Sequence, residues 1–192
     1  MSSRFRRRRG GGVVVTLEPG EAAVLDHLLG ELVGLVAPPD DVDDTDPLAR
    51  AIGIGTATET PEDPALARLF PAAYSDDDQA AADFRRYTEI GLRDAKVRNA
   101  TIARASLNRD GSAADAAAER DRHRRLRLTP DEAQAWLGAL NDLRLALGVR
   151  LDVTEDADLA FAEFPDDDPR KPMWQVYLWL GWLQETLVGA LT

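Results

Sequence analysis

The sequence predicts a mainly α protein: a single-domain helical bundle with a small two-stranded β element, formed by two strand–cap–helix units. Three observations carry this. The clearest is the stretch Leu126–Leu147, where Leu126-Arg127-Leu128 alternates as a strand does and Thr129-Pro130 follows, with Glu132 three residues after Thr129. That order supplies an N-cap, a proline in the first helical turn and a capping-box partner. Ala133, Trp136, Leu137, Leu140, Leu143 and Leu147 then recur at helical spacing, and Gly148 stands where a left-handed residue would stop the helix.

The second observation is a repetition of that unit. Val13–Leu17 is a β-branched apolar run, and Glu18-Pro19-Gly20-Glu21-Ala22 opens a helix. Leu17, Pro19, Glu21, Ala22, Leu25, Leu29, Glu31 and Leu32 match Leu128, Pro130, Glu132, Ala133, Trp136, Leu140, Asp142 and Leu143 at a constant offset of 111. Two readings stay open: any two capped amphipathic helices look alike, or the strands pair and the helices pack as quasi-equivalent halves of one core. Two short strands need helices over their apolar face in either case. The third observation is the last helix, Met173–Ala190, opened by Pro172. Its apolar residues, Trp174, Trp179 and Trp182 among them, surround nearly the whole circumference, so it is expected at the centre of a bundle or under a second subunit. Trp136 and Trp182 are both expected in the core.

A chain of 192 residues with 44% hydrophobic and 30% charged residues is one soluble domain, or one with tails. No run of 18 uncharged apolar residues and no leader with a cleavage site occurs, so a cytoplasmic protein without membrane contact is expected. The absence of cysteine excludes disulfides, a thiol switch and cysteine-ligated zinc. Only Lys96 and Lys171 among 23 basic residues are lysine, a bias expected of a high-GC genome.

Charge is unevenly placed. The net value is −11, yet residues 4–9 carry +5 and residues 85–127 carry +6, leaving −22 for the remainder. Electropositive surface facing an acidic partner is one consequence; a solvated terminus and a charged helix face is the other. Residues 1–12 are read as a flexible basic arm before a domain at 13–192, with Arg4, Arg6, Arg7, Arg8 and Arg9 free to follow a phosphate backbone.

Along the domain, a helix over Pro19–Val36 is stopped by Pro38-Pro39. An acidic loop fills 38–63; counted from Asp41, the sixth and twelfth positions hold Asp46 and Ile52, so it is no EF-hand. Gly53-Ile54-Gly55-Thr56 lacks the rest of a phosphate loop. A short helix begins at Pro64, and a long one runs from Asp76-Asp77-Asp78 to about Ala105. Its apolar stripe is read as Phe84, Tyr87, Gly91, Ala95 and Ile102, flanked by Arg85, Arg86, Arg93, Lys96 and Arg98. Such a basic amphipathic helix lies on nucleic acid or is a surface helix with one packed face. A polar linker at 108–125 and an acidic loop at 149–171 complete the chain. His27 and His123 have no partner at ligand spacing, so no metal, cofactor or catalytic residue is assigned.

Three segments carry a family resemblance: Ala67-Arg68-Leu69-Phe70-Pro71-Ala72-Ala73-Tyr74, then Trp136-Leu137-Gly138-Ala139-Leu140-Asn141-Asp142-Leu143-Arg144-Leu145-Ala146, and Leu180-Gly181-Trp182-Leu183-Gln184-Glu185. The chain resembles, over nearly its whole length, an actinobacterial domain-of-unknown-function family that includes the AosR oxidative-stress regulator. The resemblance implies a transcriptional regulator encoded beside protease-adaptor and cysteine-biosynthesis genes. It also implies a paired-cysteine switch, which this cysteine-free chain lacks. The expectation is therefore a non-enzymatic regulatory protein acting through a protein partner or DNA. The alternative is a helical adaptor or scaffold, compatible with a homodimer, that makes no nucleic-acid contact. Arg4, Arg6, Arg7, Arg8, Arg9, Arg85, Arg86, Arg93, Lys96 and Arg98 are the candidate contact residues.

Overall fold

The structure, a computed structural model, describes residues 3–38, 57–109, 123–154, 161, 164–165 and 167–192. The aspartates at 40–46, the segment 53–56, residues 110–122 of the polar linker and part of the acidic loop at 149–171 lie outside the described residues. The elements are β1 (Arg6–Arg7), β2 (Val13–Leu17), α1 (Pro19–Val36), α2 (Pro64–Leu69), α3 (Asp78–Leu107), β3 (Arg124–Leu128), α4 (Pro130–Arg150) and α5 (Lys171–Leu191).

Both strand–cap–helix units form. The Thr129 hydroxyl accepts from the Glu132 N–H at 3.2 Å, and the Glu132 carboxylate accepts from the Thr129 N–H at 2.8 Å. In the first unit the Glu21 carboxylate accepts from the Glu18 N–H at 2.8 Å. β2 and β3 pair antiparallel, with Val13 opposite Leu128, Val15 opposite Leu126 and Leu17 opposite Arg124. Exchanging each residue with its equivalent 111 positions away turns the first pair into the third and leaves Val15–Leu126 unchanged. The ladder therefore has its own quasi-two-fold at Val15–Leu126. The equivalent residues Leu25 and Trp136, Leu29 and Leu140, and Leu32 and Leu143 are all buried in one core. Of the two readings of the repeat, the quasi-equivalent halves are the ones that fold.

Around this frame α3 packs against both α1 and α4, and α4 packs in addition against α2 and α5. Trp136 is fully buried; its ring meets Phe5 edge-on at 5.8 Å and its Nε1 donates to the Ser106 hydroxyl at 2.8 Å. Helix α4 runs past Gly148 to Arg150. Its stop is made by Asp152 in the left-handed region (φ 54°), with the Val153 N–H bonded to Gly148 O and the Asp152 N–H to Val149 O. These are the two bonds of a Schellman end, supplied by an aspartate in place of the expected glycine.

Four further expectations are corrected. The sheet has a third strand, in the order β1-β2-β3, because residues 3–12 are not a free arm. Phe5 is 4% exposed within the core, its N–H donates to the Thr186 hydroxyl at 3.2 Å, and Trp182 Nε1 donates to Ser3 O at 3.1 Å. Ser3 also donates its hydroxyl to the Glu21 carboxylate. The glycines make a tight turn instead of a flexible joint. Gly12 has φ +72°, and a Cβ there would meet Leu128 O at 2.2 Å, so only glycine lets the hairpin approach β3. The second correction is Trp182, which is 45% exposed on α5. One face of α5, through Trp179, Leu180, Leu183 and Leu187, fills the core, while Leu178, Trp182 and Val188 face outward.

The third correction concerns α3, where Phe84, Tyr87 and Gly91 lie outside and Arg85 and Glu89 are buried. The fourth, a consequence of the third, removes Arg85, Arg93 and Lys96 from the accessible basic surface. Arg85 and Arg93 both pair with Glu89 at 2.8 Å. Arg85 further donates to Phe70 O at 3.0 Å and Arg93 to Val36 O at 3.1 Å. These carbonyls sit at the C-terminal ends of α2 and α1, where helices lack internal donors and favour cations. Lys96 pairs with the buried Asp142 at 2.6 Å. Three of the five candidate cations on α3 thus join helices to one another.

Candidate polyanion-binding face of the sheet

Strand alternation sorts the remaining basic residues. Val13, Val15 and Leu17 of β2 and Leu126 and Leu128 of β3 point into the core, so Val14, Thr16, Arg125 and Arg127 lie on the outer face. Arg6 sits opposite Val14 in the β1–β2 ladder, and Val14 sits opposite Arg127 in the next. The row Arg6–Val14–Arg127 therefore crosses the sheet. A second row pairs Thr16 with Arg125, and Arg4, exposed between the buried Ser3 and Phe5, falls on the same side by alternation. Four guanidiniums share one open face with a valine and a threonine, and the two rows contain no carboxylate.

The spacing follows from sheet geometry. Arg125 and Arg127 are roughly 6.8 Å apart along their strand, and Arg6 and Arg127 are roughly 9–10 Å apart across it. Among the described residues none of Arg4, Arg6, Arg125 and Arg127 has a side-chain ion pair. At the β3 edge the face continues into a depression of about 380 Å³ lined by Ser106, Arg109, Arg125, Leu126 and Arg127. Arg109 is held there by Glu132. The Glu132 carboxyl, pushed up by burial but pulled down further by the Thr129 N–H and Arg109, lies below its ordinary range and stays charged.

The structure divides the ten candidates from the sequence. Arg4 and Arg6 belong to the face. Arg8 and Arg9 are exposed on the turn that leads from it. Arg7 turns the other way and donates to the carbonyl of Thr192 at 3.4 Å. Arg85 is buried, and the half-buried Arg93 and Lys96 are engaged by Glu89 and Asp142. Arg86 and Arg98 are exposed on α3 but stand about 18 Å apart along its axis and a third of a turn apart around it, so they form no cluster. Arg125 and Arg127 are absent from the sequence-based candidates, although the alternation of Arg125-Leu126-Arg127-Leu128 implies them: inward leucines put both arginines outside.

Among the described residues no three His, Cys, Asp or Glu side chains converge as a metal group, and no helix is long and apolar enough to cross a membrane. Burial raises the Asp142 carboxyl, with Lys96 opposing, but both serve helix packing.

Comparison with known proteins adds relatives but no solved structure: none matches the chain. A Mycobacterium leprae protein named putative oxidative stress regulator AosR is 37% identical over 177 residues, 90% of this chain and 79% of its own length. The proteins named oxidative stress regulator AosR in Mycobacterium bovis and Mycobacterium tuberculosis H37Rv are each 35% identical over 194 residues, 98% of this chain and 86% of theirs. The model for the domain of unknown function DUF2017 matches residues 2–191, and the chain belongs to that family.

Proposed function

We propose that this chain is a non-enzymatic, cytoplasmic regulatory protein that acts on transcription through DNA or a protein partner. The observation that carries this reading is the outer sheet face, where Arg6, Arg125 and Arg127 stand on the paired strands, Arg4 stands just before them, and none of the four makes an ion pair among the described residues. Uncompensated positive charge on an acidic protein suits an acidic macromolecular partner. Similarity to proteins named oxidative stress regulators supports a regulatory role. Deleting the gene in its host, under ordinary growth and under peroxide, tests it: a set of transcripts should change and return on complementation. Unchanged transcripts alongside stable co-purifying proteins would favour the second reading.

That second reading is a helical adaptor, and one observation favours it. Leu178, Trp182 and Val188 are each 44–46% exposed along one side of α5. A face of that composition suits a helix or a second copy of the chain, since interfaces concentrate tryptophan and aliphatic anchors.

A further inference from the structure

We infer that the outer face of the β1-β2-β3 sheet is a docking surface for the sugar–phosphate backbone of double-stranded nucleic acid, with Arg4, Arg6, Arg125 and Arg127 as its phosphate contacts. The inference rests on the regulator reading above and assigns its partner and its residues. Three features of the face select this occupant. All of its charge is arginine, whose planar fork matches phosphate oxygens in pairs and stays protonated. Among the described residues its two rows carry no aromatic side chain: Phe5 points inward against Trp136, and the rows offer only Val14 and Thr16 between the guanidiniums. A surface that binds single strands needs stacking platforms, and these rows hold none among the described residues. A protein partner needs a desolvated apolar or aromatic centre, and one half-buried valine does not make one.

The face is also preorganised. Its side chains rise from a ladder whose other side is the core, with Val13, Val15, Leu17 and Leu128 each at most 1% exposed. The exposed Arg86 and Arg98, by contrast, stand singly on α3. Binding through phosphates alone gives affinity with little sequence preference and a steep salt dependence. Thr16, opposite Arg125 on the same face, adds a hydroxyl able to donate to a phosphate oxygen.

The test uses the full chain, a short labelled duplex of unrelated sequence and a salt series read by fluorescence anisotropy. The parent should bind weakly at low salt, the logarithm of its affinity falling linearly with the logarithm of salt. Changing Arg4, Arg6, Arg125 and Arg127 together to Gln should reduce that slope by about 0.9 for each phosphate that is no longer neutralised. Arg86→Gln with Arg98→Gln should leave it unchanged. If the fourfold variant fails to fold, the pairs Arg4→Gln/Arg6→Gln and Arg125→Gln/Arg127→Gln, tested separately, should each remove about half of the effect. No duplex binding by the folded parent at low salt overturns the proposal. So does an unchanged slope in the folded variants, or a polyglutamate of matched charge competing as well as the duplex. Should duplex binding fail while the transcript changes in the host persist, this surface assignment falls and the regulator reading stands.

Discussion

At the scale of single residues, burial and partners separate side chains that look alike in the sequence. Trp136 and Trp182 both lie on apolar helices, yet Trp136 is enclosed and Trp182 is not. Trp136→Ala should cost about 3–5 kcal/mol, from forfeited transfer energy plus the cavity left between Phe5 and Ser106. Trp182→Ala removes a half-exposed ring and should cost well under half as much; thermal melts of the two variants give the comparison. Lys96 looks like a surface cation but holds Asp142 inside the α3–α4 contact. Lys96→Met leaves a buried carboxylate without its partner and should cost about 3 kcal/mol, the low end for breaking such a pair because the ammonium is reached by solvent. Burial already raises the Asp142 carboxyl above its ordinary 3.8, with Lys96 opposing, and losing Lys96 raises it further. The folded variant then binds a proton more tightly than its unfolded chain. Its deficit relative to the parent should shrink as pH falls through the variant's raised value and level off below the parent's own, less raised one. A deficit that grows on acidification would contradict the assignment.

At the scale of elements, local signals reported the helices well and the small sheet less well. Caps and prolines gave the α1 bounds as observed and the α4 start, and the 111-residue offset foreshadowed a ladder with its own two-fold. Strand β1 was hidden because five arginines around one phenylalanine read as a solvated arm. What folds it is the fit of Phe5 against Trp136, a contact 131 residues away in sequence that no local pattern contains. The burial of Arg85 and Glu89 was equally hidden, since a charged pair four residues apart on a helix ordinarily marks the wet side. Here that pair ties together helix ends, and the aromatics are turned out. Gly12→Ala probes the hairpin directly. The substitution places a Cβ against Leu128 O at a positive φ, and should cost about 1–3 kcal/mol or release β1. Amide exchange at Arg6 and Arg7 rising far above that of β3 would mark the release; unchanged protection would refute the tight-turn account.

At the scale of the whole molecule, an acidic protein presents one basic sheet. The imbalance is visible in the sequence, with +5 and +6 segments in a −11 chain, but most of the residues it points to go elsewhere in the fold. Arg7 faces the C-terminus, three α3 cations are engaged between helices, and Arg86 and Arg98 are dispersed, whereas strand pairing brings Arg125 and Arg127 onto the face of Arg6, next to Arg4. Only the β1–β2 and β2–β3 registers bring residues so far apart in the chain onto one face. The chemistry of any signal also belongs to this scale. With no cysteine in the chain, peroxide or diamide should leave its oligomeric state without any reductant-reversible change. Non-reducing electrophoresis of the treated protein checks this, and a band restored by dithiothreitol would contradict it.

On this reading the working surface is the sheet and not the long basic helix. Side-chain Nε resonances of arginine, followed by NMR while duplex is added to the full chain at low salt, test it most directly. Arg4, Arg6, Arg125 and Arg127 should shift together, while Arg85 and Arg93, locked on Glu89, should not move. Shifts confined to Arg86 and Arg98, with the sheet arginines silent, would contradict it.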